Sequence, residues 1–320
     1  MPYLKKRRVL ICGASGFIGR NLFEELSKKK GLDVYGTYHT NKFSKNPKLI
    51  KADLTNKNQV SGITKGFDVL IQAAAVTSGA KDIITRPYIH ITNNLIMNSM
   101  LLQAAYDHSI PQVIFLSCTV MYQPNTGKPV KETDLDLNVP MYTSYFGGGW
   151  MKVYVEKLCE FYSRLKRSKF TVIRHSNIYG PYDKYDLDKS HVFGATITKV
   201  LTAKDGDKIN VWGKGEEERD LLYVSDLVSF IELVLKKQDY DYDVFNLGLG
   251  KSISIANLVK KIIAISGKRL NIFYDISKPT IPTKLSINIS KSRKKFHWAP
   301  KIGIDEGINK TIRWYMENIL

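Results

Sequence analysis

The chain has 320 residues, 43% hydrophobic and 24% charged, with 48 Lys and Arg against 30 Asp and Glu, a formal net charge of +18. Such a length buries a large core, as one big domain or two smaller ones, and the composition is that of an ordinary globular protein. No apolar run reaches the ~18 residues of a membrane span. The excess lysine is spread along the chain rather than clustered, which argues against nucleic acid or a membrane as partner and for anionic small-molecule ligands.

Lys5 to Arg8 followed by Val9 to Cys12 imitates a signal peptide, but a glycine turn cuts the apolar part too short. Val9 to Cys12 instead predicts a buried strand, and Arg20 to Lys28, with apolar Leu22, Phe23 and Leu26, an amphipathic helix. Between them stand Gly13, Gly16 and Gly19, with Ser15, Phe17 and Ile18 in the same turn. A glycine turn from strand to helix lets backbone amides approach a pyrophosphate at the positive end of the helix, which predicts a dinucleotide site.

Further strands are expected at Asp33–Thr37, at Leu49–Leu54 with Asp53 near its end, and at Phe67–Ala75 running into Ala73, Ala74 and Ala75. Helical periodicity covers Ile89–His108, Gln112–Ser117 reads as a strand, Trp150–Arg167 as a long helix and Phe170–Arg174 as a strand. This βαβ rhythm predicts an α/β fold, a Rossmann doubly wound parallel sheet with ligand at the carboxyl ends of its strands. From Pro181 the rhythm breaks into loop and short mixed elements, expected to form a smaller C-terminal substrate-binding lobe. Residues 1–178 with about 221–247 would make the dinucleotide domain, and about 179–220 with 248–320 the lobe.

After the second strand comes Tyr38-His39-Thr40-Asn41-Lys42, with no acid to bond the ribose hydroxyls of NAD, while Arg20, His39 and Lys42 offer positive charge. Electrostatics favour NADP; NAD bound through other contacts stays open. Cys12, Cys118 and Cys159 have no metal-ligand spacing, so no metal site is expected and a reducing cytoplasm suits them.

The motifs together resemble the extended short-chain dehydrogenases acting on nucleotide-activated sugars, and most of all the branch that makes GDP-L-fucose. They include Gly13-x-x-Gly16-x-x-Gly19, Asp53-Leu54, Ala73-Ala74-Ala75, Asn94, Leu116 to Tyr122, Lys152 with Glu156, and Asn177-Ile-Tyr-Gly-Pro181. Ser190-His191-Val192, Val211-Trp212-Gly213, Arg219 to Asp226 and Pro282-Thr-Lys284 continue the pattern. The resemblance implies that Asp53 and Leu54 meet the adenine and that the alanines line the cofactor channel. Asn94, Lys152, His175 and Ile178 would complete the cofactor site, with Asn177 and Ile178 at the junction of nicotinamide and substrate. Trp212, Arg219 and Lys284 would hold the diphosphate of a nucleotide sugar. A homodimer is expected from the family, through helices near Leu95–His108 and Trp150–Arg167.

The same resemblance implies a Ser or Thr, a Tyr, and a Lys four residues after the Tyr. The phenol exchanges a proton with the sugar oxygen, and the Lys binds the nicotinamide ribose. Lys152 aligns, but Gly148 stands where the tyrosine belongs, and Cys118 beside Thr119 replaces the serine. Val120 replaces the cysteine base of the fucose-forming branch, while His191 matches its partner acid. The proton could pass instead to Tyr145 or Tyr142, to His175, to His191, or to a Cys118 of depressed pKa. Glycines 147–149 could clear space for a bulkier substrate or for a water. They could equally mark a protein that binds a nucleotide sugar without turning it over, or an isomerase that keeps its cofactor. Thr119-Val120 lacks the carboxylates of a dehydratase. The expected function is C4 reduction or epimerisation of a GDP-linked sugar in making a glycan precursor, with Lys152, Cys118, Thr119, His191 and Tyr145 as candidate catalytic residues.

Overall fold

The computed structural model describes residues 6–77, 80–123, 128–278 and 280–320, so Lys5 of the basic run lies outside the described residues. In chain order come β1 (Arg7–Cys12), α1 (Phe17–Ser27), β2 (Leu32–Tyr38), β3 (Leu49–Lys51), α2 (Lys57–Thr64), β4 (Val69–Gln72) and α3 (Ala80–Thr85). After a 3-10 turn at Pro87–His90 follow α4 (Thr92–Asp107), β5 (Gln112–Cys118), α5 (Phe146–Arg164), β6 (Lys169–His175) and β7 (Asn177–Tyr179). Then come α6 (Val192–Thr202), β8 (Lys208–Trp212), β9 (Glu218–Tyr223), α7 (Val224–Lys237), β10 (Tyr242–Leu247) and β11 (Ser252–Ser254). The chain ends with α8 (Ile255–Ser266), β12 (Asn271–Asp275), β13 (Lys284–Leu285), α9 (Ser290–Phe296) and α10 (Ile304–Asn318).

Seven parallel strands form one sheet in the order β10-β6-β5-β4-β1-β2-β3. Their central members are apolar on both faces (Val9 to Cys12 and Val69 to Ile71 are fully buried) because helices cover both sides. One face packs Leu22, Phe23 and Leu26 of α1 with Leu227, Phe230, Ile231 and Val234 of α7. The other packs Met97 and Leu101 of α4 with Met151, Val155 and Cys159 of α5. The strand order changes direction at β1 and β4, which places a ligand crevice at their carboxyl ends.

A second core joins α6, α8 and α10 to β8 and β9 through Phe193, Ile197, Leu258, Ile262, Ile308 and Tyr315. The chain enters this lobe after β6, returns to the large sheet at α7 and β10, and leaves again at β11. It comes back once more at Ile287, Ile289, Phe296 and Trp298, which pack in the α1–α7 core. That last return falls inside the stretch 248–320 expected in the lobe.

Several element boundaries differ from expectation for identifiable reasons. β3 stops at Lys51, because Asp53 turns the chain by accepting from the Thr55 amide at 2.9 Å and hydroxyl at 2.7 Å. β4 stops at Gln72, so the three alanines lie beyond the sheet. α5 starts four residues before Trp150, with the glycine triplet inside its first turn, and ends at Arg164 rather than Arg167.

Candidate active site

The glycine turn is built by close approach. Gly13 has φ +79°, and a Cβ there would stand 2.6 Å from the Ala74 Cα. A Cβ on Gly19 would stand 2.1 Å from the Gly13 carbonyl oxygen. The turn therefore touches the end of β4, and the Gly13 amide donates to Thr37 Oγ1 at 2.9 Å. α1 starts after Gly16 with no side-chain cap and no acid in its first turn. Its first amides have no intrahelical partners, so Gly13, Ser15, Gly16, Phe17, Ile18 and Gly19 fit a pyrophosphate.

Asn94, buried on α4, accepts from the Val76 amide at 2.8 Å and donates to the Val76 and His90 carbonyls at 3.0 and 2.7 Å. It thereby fixes the stretch that carries Ala73, Ala74 and Ala75. Asp53 is held below the usual carboxylate range by the Thr55 hydroxyl and amide, and Leu54 is buried beside it. Arg20 pairs with Glu24 at 2.9 Å and lies between the rings of Tyr182 and Phe43, 3.8 and 4.7 Å from their centroids. Glu24 thus engages its charge, while His39 and Lys42, the others of the expected trio, are exposed.

At the carboxyl ends of β5 and β6, Cys118 lies opposite His175 in the parallel register. The Lys152 ammonium donates to the Leu116 carbonyl at 3.0 Å and stands 4.7 Å from the Phe115 ring centroid. Thr119 is buried in the next turn, where its carbonyl accepts from the Tyr122 amide at 3.2 Å. Tyr145 ends a 3-10 turn just before α5. Burial pushes its hydroxyl above the ordinary value of 10, an effect Arg219 opposes and Cys118 and Tyr142 reinforce.

His175 Nδ1 is 2.7 Å from the Ser176 carbonyl. A carbonyl only accepts, so Nδ1 carries the proton and Nε2 is left as an acceptor. Burial lowers this imidazole to about 4, helped by Lys152 and His191. His191 precedes α6, its ring open to the cleft. The surrounding protein mass, then Lys184, His90 and Arg219, pull it down to about 4; water in the open cleft weakens that pull, and the imidazole is neutral at pH 7 either way. Tyr145, Cys118, Lys152, His175, His191 and Arg219 thus form one chain of electrostatic neighbours.

Arg219, on β9, donates through Nη1 to the Glu218 and Thr283 carbonyls at 2.8 and 3.0 Å and to the Thr283 hydroxyl, and through Nη2 to the Ile281 carbonyl at 3.2 Å. None of these partners is a carboxylate, so its charge stays available to an anion. Lys284 follows on β13, paired beside β9. Asn177, exposed on β7, donates to the Asp220 carbonyl at 3.3 Å, with half-buried Ile178 next to it. Trp212 stands apart on β8, 36% exposed.

Two buried charged groups escaped the reading of the sequence. Arg174 binds Glu156 through Nε at 3.1 Å and Nη2 at 2.7 Å, and Glu156 also accepts from the Ser117 hydroxyl at 2.6 Å. Asp220 accepts from the amides of Leu249, Gly250 and Ile287 at 2.7, 3.0 and 3.2 Å. Burial pushes its carboxyl up to about 6 against the pull of those amides. For Arg174 the signal was present, a charge closing the apolar run Thr-Val-Ile; Asp220 was masked by the charged run Glu216 to Arg219 before it.

The sheet order, the glycine turn and the crevice above β1 and β4 define an α/β protein of the Rossmann type. The model of the NAD dependent epimerase/dehydratase family matches residues 9–248, and the chain belongs to that family. It is 29% identical to GDP-L-colitose synthase of Yersinia pseudotuberculosis, over 97% of this chain and 98% of the relative. It is 27% identical to GDP-L-fucose synthase of Sinorhizobium fredii, over 100% and 98%. The crystal structure of UDP-glucose 4-epimerase from Thermotoga maritima, with UDP-glucose, superposes with a TM-score of 0.85 at 23% identity, covering 98% of this chain and all of that one. These findings bear out the α/β Rossmann fold and the extended short-chain dehydrogenase resemblance. Among the described residues no helix is long and apolar enough to cross a membrane.

Proposed function

We propose that this protein is an NAD(P)-dependent oxidoreductase or epimerase of a nucleotide-diphosphate sugar, acting at C4 of a GDP-linked deoxysugar in making a glycan precursor. The observation that carries this reading is Lys152, held by the Leu116 carbonyl at the carboxyl end of β5 where Cys118 lies opposite His175, together with an Arg219 whose hydrogen-bond partners are all neutral. The bound nicotinamide supplies or takes up hydride. Lys152 would hold the ribose hydroxyls, and Arg219 and Lys284 the diphosphate. Cys118 and Thr119 would donate to the reacting oxygen. Tyr145 keeps its proton at neutral pH, since burial raises its pKa, so it suits the role of donor to a keto oxygen being reduced. Neutral His175 and His191 suit that of acceptor.

The test is loss of reduced-nicotinamide absorbance with GDP-4-keto-6-deoxymannose, run with NADPH and NADH in parallel. His39 and Lys42 favour the 2′-phosphate of NADP, so the NADPH arm is expected to be faster. Burial puts His175 near 4 and raises Tyr145, so Tyr145 as proton donor predicts no fall in kcat below about pH 9; a fall across neutrality that survives His191→Ala would remove Tyr145 from the role. Gly148 favours a second reading, a nucleotide-sugar binder without turnover or an isomerase that recycles its cofactor. Product analysis over a panel of nucleotide sugars separates these from the reductase.

We also propose a homodimer. Phe146, Trp150, Tyr154, Phe161 and Leu165 are exposed at intervals of one or two turns along α5 and just beyond it, an apolar stripe that a second copy would cover. Tyr154→Glu with Phe161→Glu should shift the mass in light scattering from dimer to monomer; a wild-type monomer at micromolar concentration would refute the assembly. Three free cysteines suit a cytoplasmic setting.

A further inference from the structure

The loop after β7 bonds to both walls of the crevice: α1, which follows β1, and the stretch that follows β4. At the first wall, Asn21 Nδ2 donates to the Pro181 carbonyl at 2.8 Å, and the Tyr182 hydroxyl donates to Glu24 Oε2 at 2.9 Å. The Arg20 guanidinium lies 3.8 Å from the centroid of the Tyr182 ring, and Trp314 meets that ring edge-on at 5.0 Å. At the second wall, the Lys184 ammonium donates to the Thr77 carbonyl at 2.6 Å and to its hydroxyl at 3.2 Å. Tyr182 and Lys184 are two residues apart, about 7 Å of chain at most. The tie between the walls is short.

Tyr182 has φ +68°. A side chain in that left-handed region is strained, and it persists where its surroundings over-determine it. Glu24, Arg20 and Trp314 do so here. Behind the segment, the Tyr185 hydroxyl donates to the Gly180 carbonyl at 2.8 Å and Thr198 Oγ1 donates to the Tyr185 carbonyl at 2.7 Å. A Cβ on Gly194 would stand 2.3 Å from the Lys184 carbonyl oxygen, so α6 backs the segment closely. The segment is thus fixed on α1, braced from the smaller lobe, and finished at the far wall by one side chain. Lys184 and Thr77 are both exposed, so their bond fills no core.

We propose that residues 181–184 are a strap across the mouth of the cofactor crevice, and that Lys184 is its latch, setting how fast a dinucleotide enters and leaves. This rests on the dinucleotide reading of the turn from Gly13 to Gly19. A lobe joined to the large sheet by several crossings of the chain does not swing wide, so passage of the cofactor falls to this short tie.

The experiment reads exchange rather than turnover. Protein loaded with NADPH, or in a parallel arm with NADH, is mixed in a stopped-flow cell with a large excess of the oxidised form, and the fall in bound-nicotinamide fluorescence gives the release rate. Lys184→Met keeps the stem and loses the ammonium; release should quicken about tenfold, the effect of losing one hydrogen bond to a charged group. Lys184→Arg should stay within about threefold of wild type, because a cation still reaches the carbonyl. A strap obstructs entry as well as exit, so association should quicken too and Kd should change less than the release rate. Tyr182→Phe, which loses the Glu24 bond and keeps the ring, should speed both steps in the same sense, so the test does not depend on one variant. As a surface change, Lys184→Met should melt within about 1 °C of wild type. Release within about twofold of wild type in Lys184→Met would overturn the strap alone, as would faster release with unchanged association, which marks a direct ligand. Failure of the wild type to bind either dinucleotide would overturn the cofactor reading, and the strap with it.

Discussion

Lys152→Ala is expected to lower kcat for the reductase reaction by about 100-fold or more, the usual range for losing a group that organises proton transfer. In the free protein its ammonium is held by the Leu116 carbonyl and the Phe115 ring face, at the end of β5 where Cys118 and Thr119 follow. Alanine removes the one cation that shares the Tyr145 and Gly148 face of α5. The loss should split between cofactor affinity, because a ribose ligand is gone, and the chemical step, because positive charge near the donor is gone. Lys152→Arg keeps the charge but not the compact point donor, and should recover only part of the rate. Stopped-flow traces of reduced-nicotinamide absorbance, with cofactor titrated separately, resolve the two contributions. Turnover within twofold of wild type in Lys152→Ala would exclude the assignment.

Glu156→Ala should destabilise the fold by about 3–5 kcal/mol, since removing one partner leaves a buried charge without its counter-ion. The stranded group is Arg174, on a central strand. Burial works against its charge, and the Glu156 carboxylate more than reverses this, holding it above its ordinary range. Glu156 also receives the Ser117 hydroxyl, and Arg174 donates to the Tyr122 hydroxyl at 3.0 Å, which in turn donates to Asn246 Oδ1 at 2.7 Å. One substitution thus unsettles β5, β6, β10 and α5 together. For a protein this large the melting temperature should fall by roughly 5 °C or more. Glu156→Gln keeps an acceptor for Ser117 and should fall between the two. Thermal melts of the cofactor-free protein test this; a shift below about 1 °C in Glu156→Ala would mean that Arg174 finds water.

The elements legible in the sequence were those whose cause is local. Gly13, Gly16 and Gly19 announce their turn because their lack of a side chain is the function of the turn. The sheet follows from apolar runs of strand length alternating with helical periods. Reading Ala73 to Ala75 as strand failed because periodicity registers apolar character, not where the ladder ends. The glycines 147–149 stand at the start of the long helix, as the sequence led one to expect, although its expected start at Trp150 falls four residues late. Arg20 shows a deeper limit. Its charge suggested a phosphate ligand, but Glu24 one turn on and the Tyr182 ring from a distant loop both engage it. The Arg174–Glu156 pair was hidden likewise, since nothing local says which acid meets a buried arginine. Asn94, named from the resemblance alone, also braces the loop after β4, a role no local pattern announces.

The way the chain weaves between its two cores has a mechanical consequence. It crosses out after β6, back at α7, out after β10, back at Ile287 and out again after Trp298. Asp220 stitches three of these stretches together through the amides of Leu249, Gly250 and Ile287. A jaw that swings on one hinge needs only one or two connecting strands of chain. Here every crossing would have to flex at once, so the walls of the cleft can slide or tilt slightly but not gape. For the same reason no contiguous cassette carries the smaller lobe: grafting residues 179–220 onto another scaffold would transplant half a wall, and one proteolytic nick would leave the two halves still laced together.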